Sequence, residues 1–222
     1  MRSPFSPFQL ILFVFALGFL IAFVQIGLLT IAFDKLGLSQ SSAFLLLFSS
    51  LLGSGVNLPL FKINAEAPPE SQMPKVFRSM LRLPEQQFTG KTIIAVNVGG
   101  CLIPITFSIF LISHAALTAW QVLAAIGVVT LISRLTSRPM QGFGIGMPLF
   151  VGPISAALVA MVINPENSAP LAYICGTLGV LIGADILRLS DIRKMGVPLA
   201  SIGGAGTFDG IFITGIVAVL LA

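Results

Sequence analysis

Residues Pro170–Leu187 read PLAYICGTLGVLIGADIL, a run whose one charge, Asp185, stands just before Arg188 closes it. A bilayer core about 30 Å thick takes roughly 20 apolar helical residues to cross. The run reads as one membrane crossing, and it sets the pattern for the rest of the chain. Six further runs resemble it: Phe8–Phe33, Ser41–Leu60, Thr92–Ile112, Leu117–Ser133, Gly144–Ile163 and Gly203–Ala222. The first follows Arg2 as a signal peptide would, but it is too long for a signal core and no small-x-small cleavage site follows. The second is the most dilute, carrying Ser39, Ser41, Ser42, Ser49, Ser50, Gly53, Ser54 and Gly55.

Composition agrees. Of 222 residues 56% are hydrophobic and 9% charged, the mean hydropathy is +1.02 and the net charge is +4. A soluble protein carries roughly 25% charged residues. The numbers exclude a disordered tail, a disulfide-framed secreted domain and a nucleic-acid partner. The pI near 9.5 rests on a small surplus of charge placed where membrane topology puts it. Cys101 and Cys175 lie inside apolar runs without redox or metal spacing and read as small packing residues.

The expected fold is all-α: a polytopic transmembrane bundle of about seven spans, one domain over 1–222. If the amino terminus is "in", eleven of the twelve Lys and Arg lie on that side, and only Lys35 lies opposite. Basic residues in short loops stay cytoplasmic, so the amino terminus is expected inside and the carboxyl terminus outside. Trp120 and Tyr173 are expected at the outer boundary as interfacial aromatics. The long cytoplasmic loop 62–91 is expected to carry a short basic amphipathic helix. There Phe77, Met80 and Leu81 fall at helical spacing beside Lys75, Arg78 and Arg82, between Pro74 and Pro84. Such a helix would lie on membrane lipids, and a solvated charge cluster is the plainer reading.

Polar and helix-breaking residues collect on the inner side: Asn57 and Pro59, Asn97 and Pro104, Gly142–Pro148, Asp185, and Gly203–Gly210. Such residues usually line an enclosed cavity. The expected lining is Asn57, Asn97, Gly206, Phe208 and Gly210. Glycines at small-xxx-small spacing, Gly179/Gly183 and Gly206/Gly210, also serve close helix packing. Asn57 and Asn97 also serve to bond backbone freed by Pro59 and Pro104.

Asp185 and Asp209 are the acidic residues within the spans. Asp185 stands about 5 Å below the interface, one turn from Arg188, a candidate ion-pair partner. Asp209 stands about 9 Å inside the boundary with no basic residue of its own helix near, so it must be protonated, partnered or hydrated. Two carboxylates on adjacent helices can act as base towards water and acid towards an amide nitrogen. Gly183-Ala-Asp185 and Phe208-Asp209 resemble fragments of the Gly-x-Gly-Asp and Tyr-Asp motifs of presenilin-type intramembrane aspartyl proteases, in swapped order and without a Pro-Ala-Leu motif. At 100° per residue, Asp185 points about 200° away from Gly183, off the glycine face of its helix.

A wider resemblance rests on Asn97-Val-Gly-Gly-Cys-Leu-Ile-Pro, on Ser137-Arg-Pro with Gly146-Met-Pro, on Gly176 through Leu189, and on Ser201-Ile-Gly-Gly-Ala-Gly-Thr-Phe-Asp-Gly-Ile-Phe. These are similar to an uncharacterised prokaryotic membrane-protein family, domain of unknown function 1614. The resemblance implies a multi-pass prokaryotic plasma-membrane protein and supplies no activity.

Three functions stay open. One is an aspartyl protease-like hydrolase using Asp185 and Asp209 on a membrane-embedded peptide. Another is a proton- or cation-coupled transporter of a small solute. The third is a non-catalytic scaffold whose aspartates fix helix register. No cofactor is expected and no metal: His114, an interfacial residue, has no ligand at metal spacing. The glycines at 203–206 lack the Lys-Ser/Thr of a phosphate loop.

Overall fold

A computed structural model describes residues 7–25, 27–66, 90–140, 144–204 and 208–222. The helices are α1 (Pro7–Gln25), α2 (Leu28–Lys35), α3 (Gln40–Gly53), α4 (Ile103–His114), α5 (Ala119–Thr136), α6 (Val151–Ile163), α7 (Ser168–Val180), α8 (Leu189–Ile192) and α9 (Phe208–Leu221). Wide π-helical turns, Val98–Leu102 and Leu181–Asp185, precede α4 and extend α7. The strands are β1 (Asn57–Asn64), β2 (Lys91–Asn97), β3 (Arg138–Met140), β4 (Gly144–Gly146) and β5 (Leu199–Ile202). The proposed amphipathic helix in loop 62–91 lies outside the described residues.

The chain is mostly helical, but not all-α. A mixed sheet of order β1-β2-β5 closes one end, with β1 antiparallel to β2 and β5 parallel to it. Four expected spans therefore change partway. The second ends at Gly53, and its last residues, from Asn57, open β1. The third starts as β2, and the seventh opens with the Gly203 turn, its described helix running from Phe208. The fifth likewise opens with β4 and turns helical at Val151. The physical reason is visible in β2, where Thr92-Ile-Ile-Ala-Val is rich in β-branched residues, and in Pro59, which would cost a helix one of its backbone hydrogen bonds. A continuous apolar run does not by itself separate a buried strand from a helix. The first span also breaks, at Gly27, whose φ of 79° is left-handed.

α7 is the central helix, and nearly every residue from Ser168 to Asp185 is buried. α4, α5, α6 and α9 pack around it. The seams are made of small side chains. Added Cβ atoms at Gly179 and Gly183 would lie 2.7 Å from Val129 Cγ1 and 2.4 Å from the Thr130 carbonyl oxygen, both on α5. At Gly176 one would lie 3.0 Å from Ala156 of α6 and 3.0 Å from Thr214 of α9. Tyr173 is buried rather than interfacial, edge-on to Phe107 with ring centroids 4.9 Å apart. Trp120 is exposed.

Many large apolar side chains on the outer helices face outward. On α5 the buried positions are Val122, Ala125, Val129 and Ser133, while Leu123, Leu131 and Leu135 are exposed, Leu135 by 72%. On α6 alanines 156, 157 and 160 are inside, and Val162 is 82% exposed. In water each such Leu or Val would forgo roughly 1.5–3 kcal/mol of burial. Two helical stretches among the described residues, Ala119–Thr136 and Ser168–Ile192, are long and apolar enough to cross a membrane.

Candidate functional site at the sheet end

Asp185 closes the second π-turn. Its side chain is 5% exposed, and its Oδ2 accepts the Gly203 N–H at 2.7 Å. Gly203 has φ 68°, and a Cβ there would lie 2.5 Å from the Gly100 carbonyl oxygen, in the first π-turn. Gly203 is thus wedged between the two π-turns, donating to the end of one and packed against the carbonyl of the other. Such wide turns release backbone groups from the regular ladder and are frequent at functional sites. Cys101, also in the first π-turn, lies within electrostatic reach of Asp185.

Gly183 faces α5, and Asp185 reaches the segment that leads into α9. Gly183 and Asp185 thus serve two different neighbours. α7 and α9 meet on a third set of positions, where Gly176 meets Thr214 and Gly215 meets Tyr173. Asp209 is the second residue of α9 and Gly210 the third. The side chains of Phe208 and Asp209, and Gly206 altogether, lie outside the described residues.

Asn97 is buried, and its amide bonds two backbone groups and one side chain. Its Nδ2 donates to the Ser54 carbonyl at 2.7 Å and to Asn57 Oδ1 at 3.0 Å, and its Oδ1 accepts the Gly100 N–H at 2.8 Å. It therefore holds the end of α3, the start of the first π-turn and β1 together. Asn57 is exposed, and its Oδ1 also accepts from Ser201 Oγ of β5. One asparagine pair and one serine thus tie all three strands at one end, beside the Gly203 turn. Ser201 and Gly203 were not among the sequence candidates. The positive φ and the tie to Asn57 arise from contacts more than 100 residues apart.

Arg188 engages Asp191 rather than Asp185. Its Nη1 is 2.9 Å from Asp191 Oδ2, Nε donates to Ser137 Oγ at 3.2 Å, and Nη2 donates to the carbonyls of Arg134 and Ser137. It caps the last turn of α5, whose terminal carbonyls have no partner within the helix. This hydrogen bond, the largest influence, holds the Asp191 carboxyl below the usual range, with the Arg188 and Arg134 charges adding to it and partial burial opposing it.

Among the described residues, Arg134, Arg188 and Arg193 lie at this end. Glu66 N–H bonds to the Arg193 carbonyl, joining β1 to the segment after α8, while Arg188 joins that segment to α5. Lys35 stands at the other end, its Nζ 3.4 Å from the carbonyls of Val219 and Leu220.

Fold and site define a class: a mostly helical bundle with an apolar exterior, capped at one end by a small sheet where its polar side chains converge. Over residues 51–221 the chain matches the family described as Protein of unknown function (DUF1614), and it belongs to that family. No curated protein and no solved structure matches it. The likeness to presenilin-type proteases rests on its two short motifs alone.

Proposed function

We propose that this is a multi-pass plasma-membrane protein of a prokaryote, with the sheet end cytoplasmic and the carboxyl terminus external. Its outward-facing Leu, Val and Phe side chains suit hydrocarbon, and its basic residues sort to the sheet end as cytoplasmic loops require. We further propose that Asp185 and Asp209 form a membrane-boundary acid–base pair with aspartyl protease-like hydrolysis as its chemistry. The observation that carries this is the buried Asp185 carboxyl, held by Gly203 at the start of the segment that leads to Asp209. A peptide embedded in the membrane is the substrate. One carboxylate takes a proton from water, whose oxygen bonds to the scissile carbonyl carbon. The other carboxyl gives its proton to the departing amide nitrogen, leaving an acid and an amine.

The test is purified protein reconstituted with single-span peptides, with new peptide termini read by mass spectrometry. Cleavage is expected from the wild type and absent from Asp185→Asn and Asp209→Asn, with the double variant little worse than either single. Independent, additive effects of the two changes would overturn the paired mechanism, and no cleavage by the wild type would overturn the hydrolase.

One observation favours a second reading, a proton- or cation-coupled transporter. Thr130, Ser133 and Thr214 have buried hydroxyls with no hydrogen-bond partner among the described residues. Hydroxyls of this kind suit a hydrated path. Under this reading, solute uptake into vesicles would follow a proton gradient and fail in Asp185→Asn.

A further inference from the structure

Where α5 ends, one carboxylate serves two guanidinium groups. Asp191 Oδ2 lies 2.9 Å from Arg188 Nη1 and 3.5 Å from Arg134 Nη1. Arg188 is fully committed by its bonds to Ser137 and to two helix-terminal carbonyls. Arg134 makes only the long contact among the described residues, and its side chain is 34% exposed. The group therefore carries an excess positive charge on the outside of the bundle.

The wall on the α5 side of that charge is apolar. Leu131 and Leu135, one turn apart on α5, lie to the same side of Arg134 and are exposed, as are Ile186 and Leu187 just before Arg188. A free phosphate ion would satisfy the guanidinium and leave this wall bare. We propose that Arg134 and this wall form a docking site for an anionic phospholipid. Its phosphodiester lies on the open N–H groups of Arg134, and its acyl chains lie along Leu131, Leu135, Ile186 and Leu187. A planar guanidinium suits the two unesterified oxygens of a phosphodiester. The proposal rests on the membrane reading above and is independent of the aspartate chemistry.

The experiment uses the full chain in nanodiscs of phosphatidylcholine with a minor share of phosphatidylglycerol, then native mass spectrometry of the lipids it retains. The wild type is expected to retain phosphatidylglycerol over phosphatidylcholine. Arg134→Gln is expected to lower that preference about fivefold, the effect of one basic group at a membrane surface. Leu135→Gln, which alters no charge, is expected to lower it as well. Arg193→Gln, which removes an exposed cation from the same end, is expected to leave it unchanged. An unchanged preference in Arg134→Gln, or an equal loss in Arg193→Gln, would overturn the site. Displacement of the lipid by soluble glycerophosphoglycerol at equal concentration would show a phosphate site and overturn the lipid. Extraction of the wild type from membranes by alkaline carbonate would instead refute the membrane reading, and the lipid site with it.

Discussion

Gly203 is the position where a single added carbon does the most. Its backbone is left-handed, which costs an L residue roughly 1–2 kcal/mol, and an added Cβ would lie 2.5 Å from the Gly100 carbonyl oxygen of the first π-turn. Gly203→Ala is expected to lose more than about 2 kcal/mol and to lower the detergent-solubilised melting temperature. Gly127, within α5, has nothing within 4 Å of an added Cβ, so Gly127→Ala is expected to be neutral or gain up to about 1 kcal/mol. Equal effects at the two glycines would remove the wedge from the account. Asp191 supplies a test by pH. Its folded-state pKa is depressed, so its contribution is fully present above the ordinary Asp value, about 4, and is lost as pH falls through the lower folded value. The stability gap between wild type and Asp191→Asn is expected to be constant at neutral pH and to close in acid. A gap that widens on acidification would contradict the clamp.

The helices test whether the glycine seams separate elements by size. Gly183→Leu would drive bulk into the α5 backbone at Thr130, and its accumulation in membranes is expected to fall severely. Val162→Leu, on the outward face of α6, is expected to accumulate normally. This seam was legible from the small-xxx-small spacing of Gly179 and Gly183, because helical periodicity alone places both on one face. The sheet was not. β2 and β5 are short, apolar and continuous with helical runs, and what makes them strands is each other: Ile93 pairs with Leu199 and Val96 with Ile202. Of the site, Asp185 stood out as a charge in an apolar run, but its partner is a backbone N–H, which every residue type except proline offers. Arg188 has an aspartate three residues away on either side, so one-turn spacing made Asp185 a candidate partner without excluding Asp191. The second π-turn and the helical turns after it bring Asp191 to it instead.

For the molecule as a whole, the exposed apolar exterior and the two-ended sorting of charge lead to one topological expectation. Reporter fusions after Asn64 and after Arg193 are expected to read cytoplasmic, and a fusion at Ala222 external. A cytoplasmic carboxyl terminus would contradict the orientation and place the Arg134 lipid site in the opposite leaflet.

The parallel pairing of β2 with β5 also fixes an order in time. β1 and β2 are made early, and β5 emerges roughly 100 residues later; at about 5–20 residues per second the ribosome needs on the order of 5–20 s to supply it. Until then one edge of β2 stays open, and the Gly203 turn that joins the two π-turns does not exist. The polar end of the bundle is therefore assembled last, from both halves of the chain.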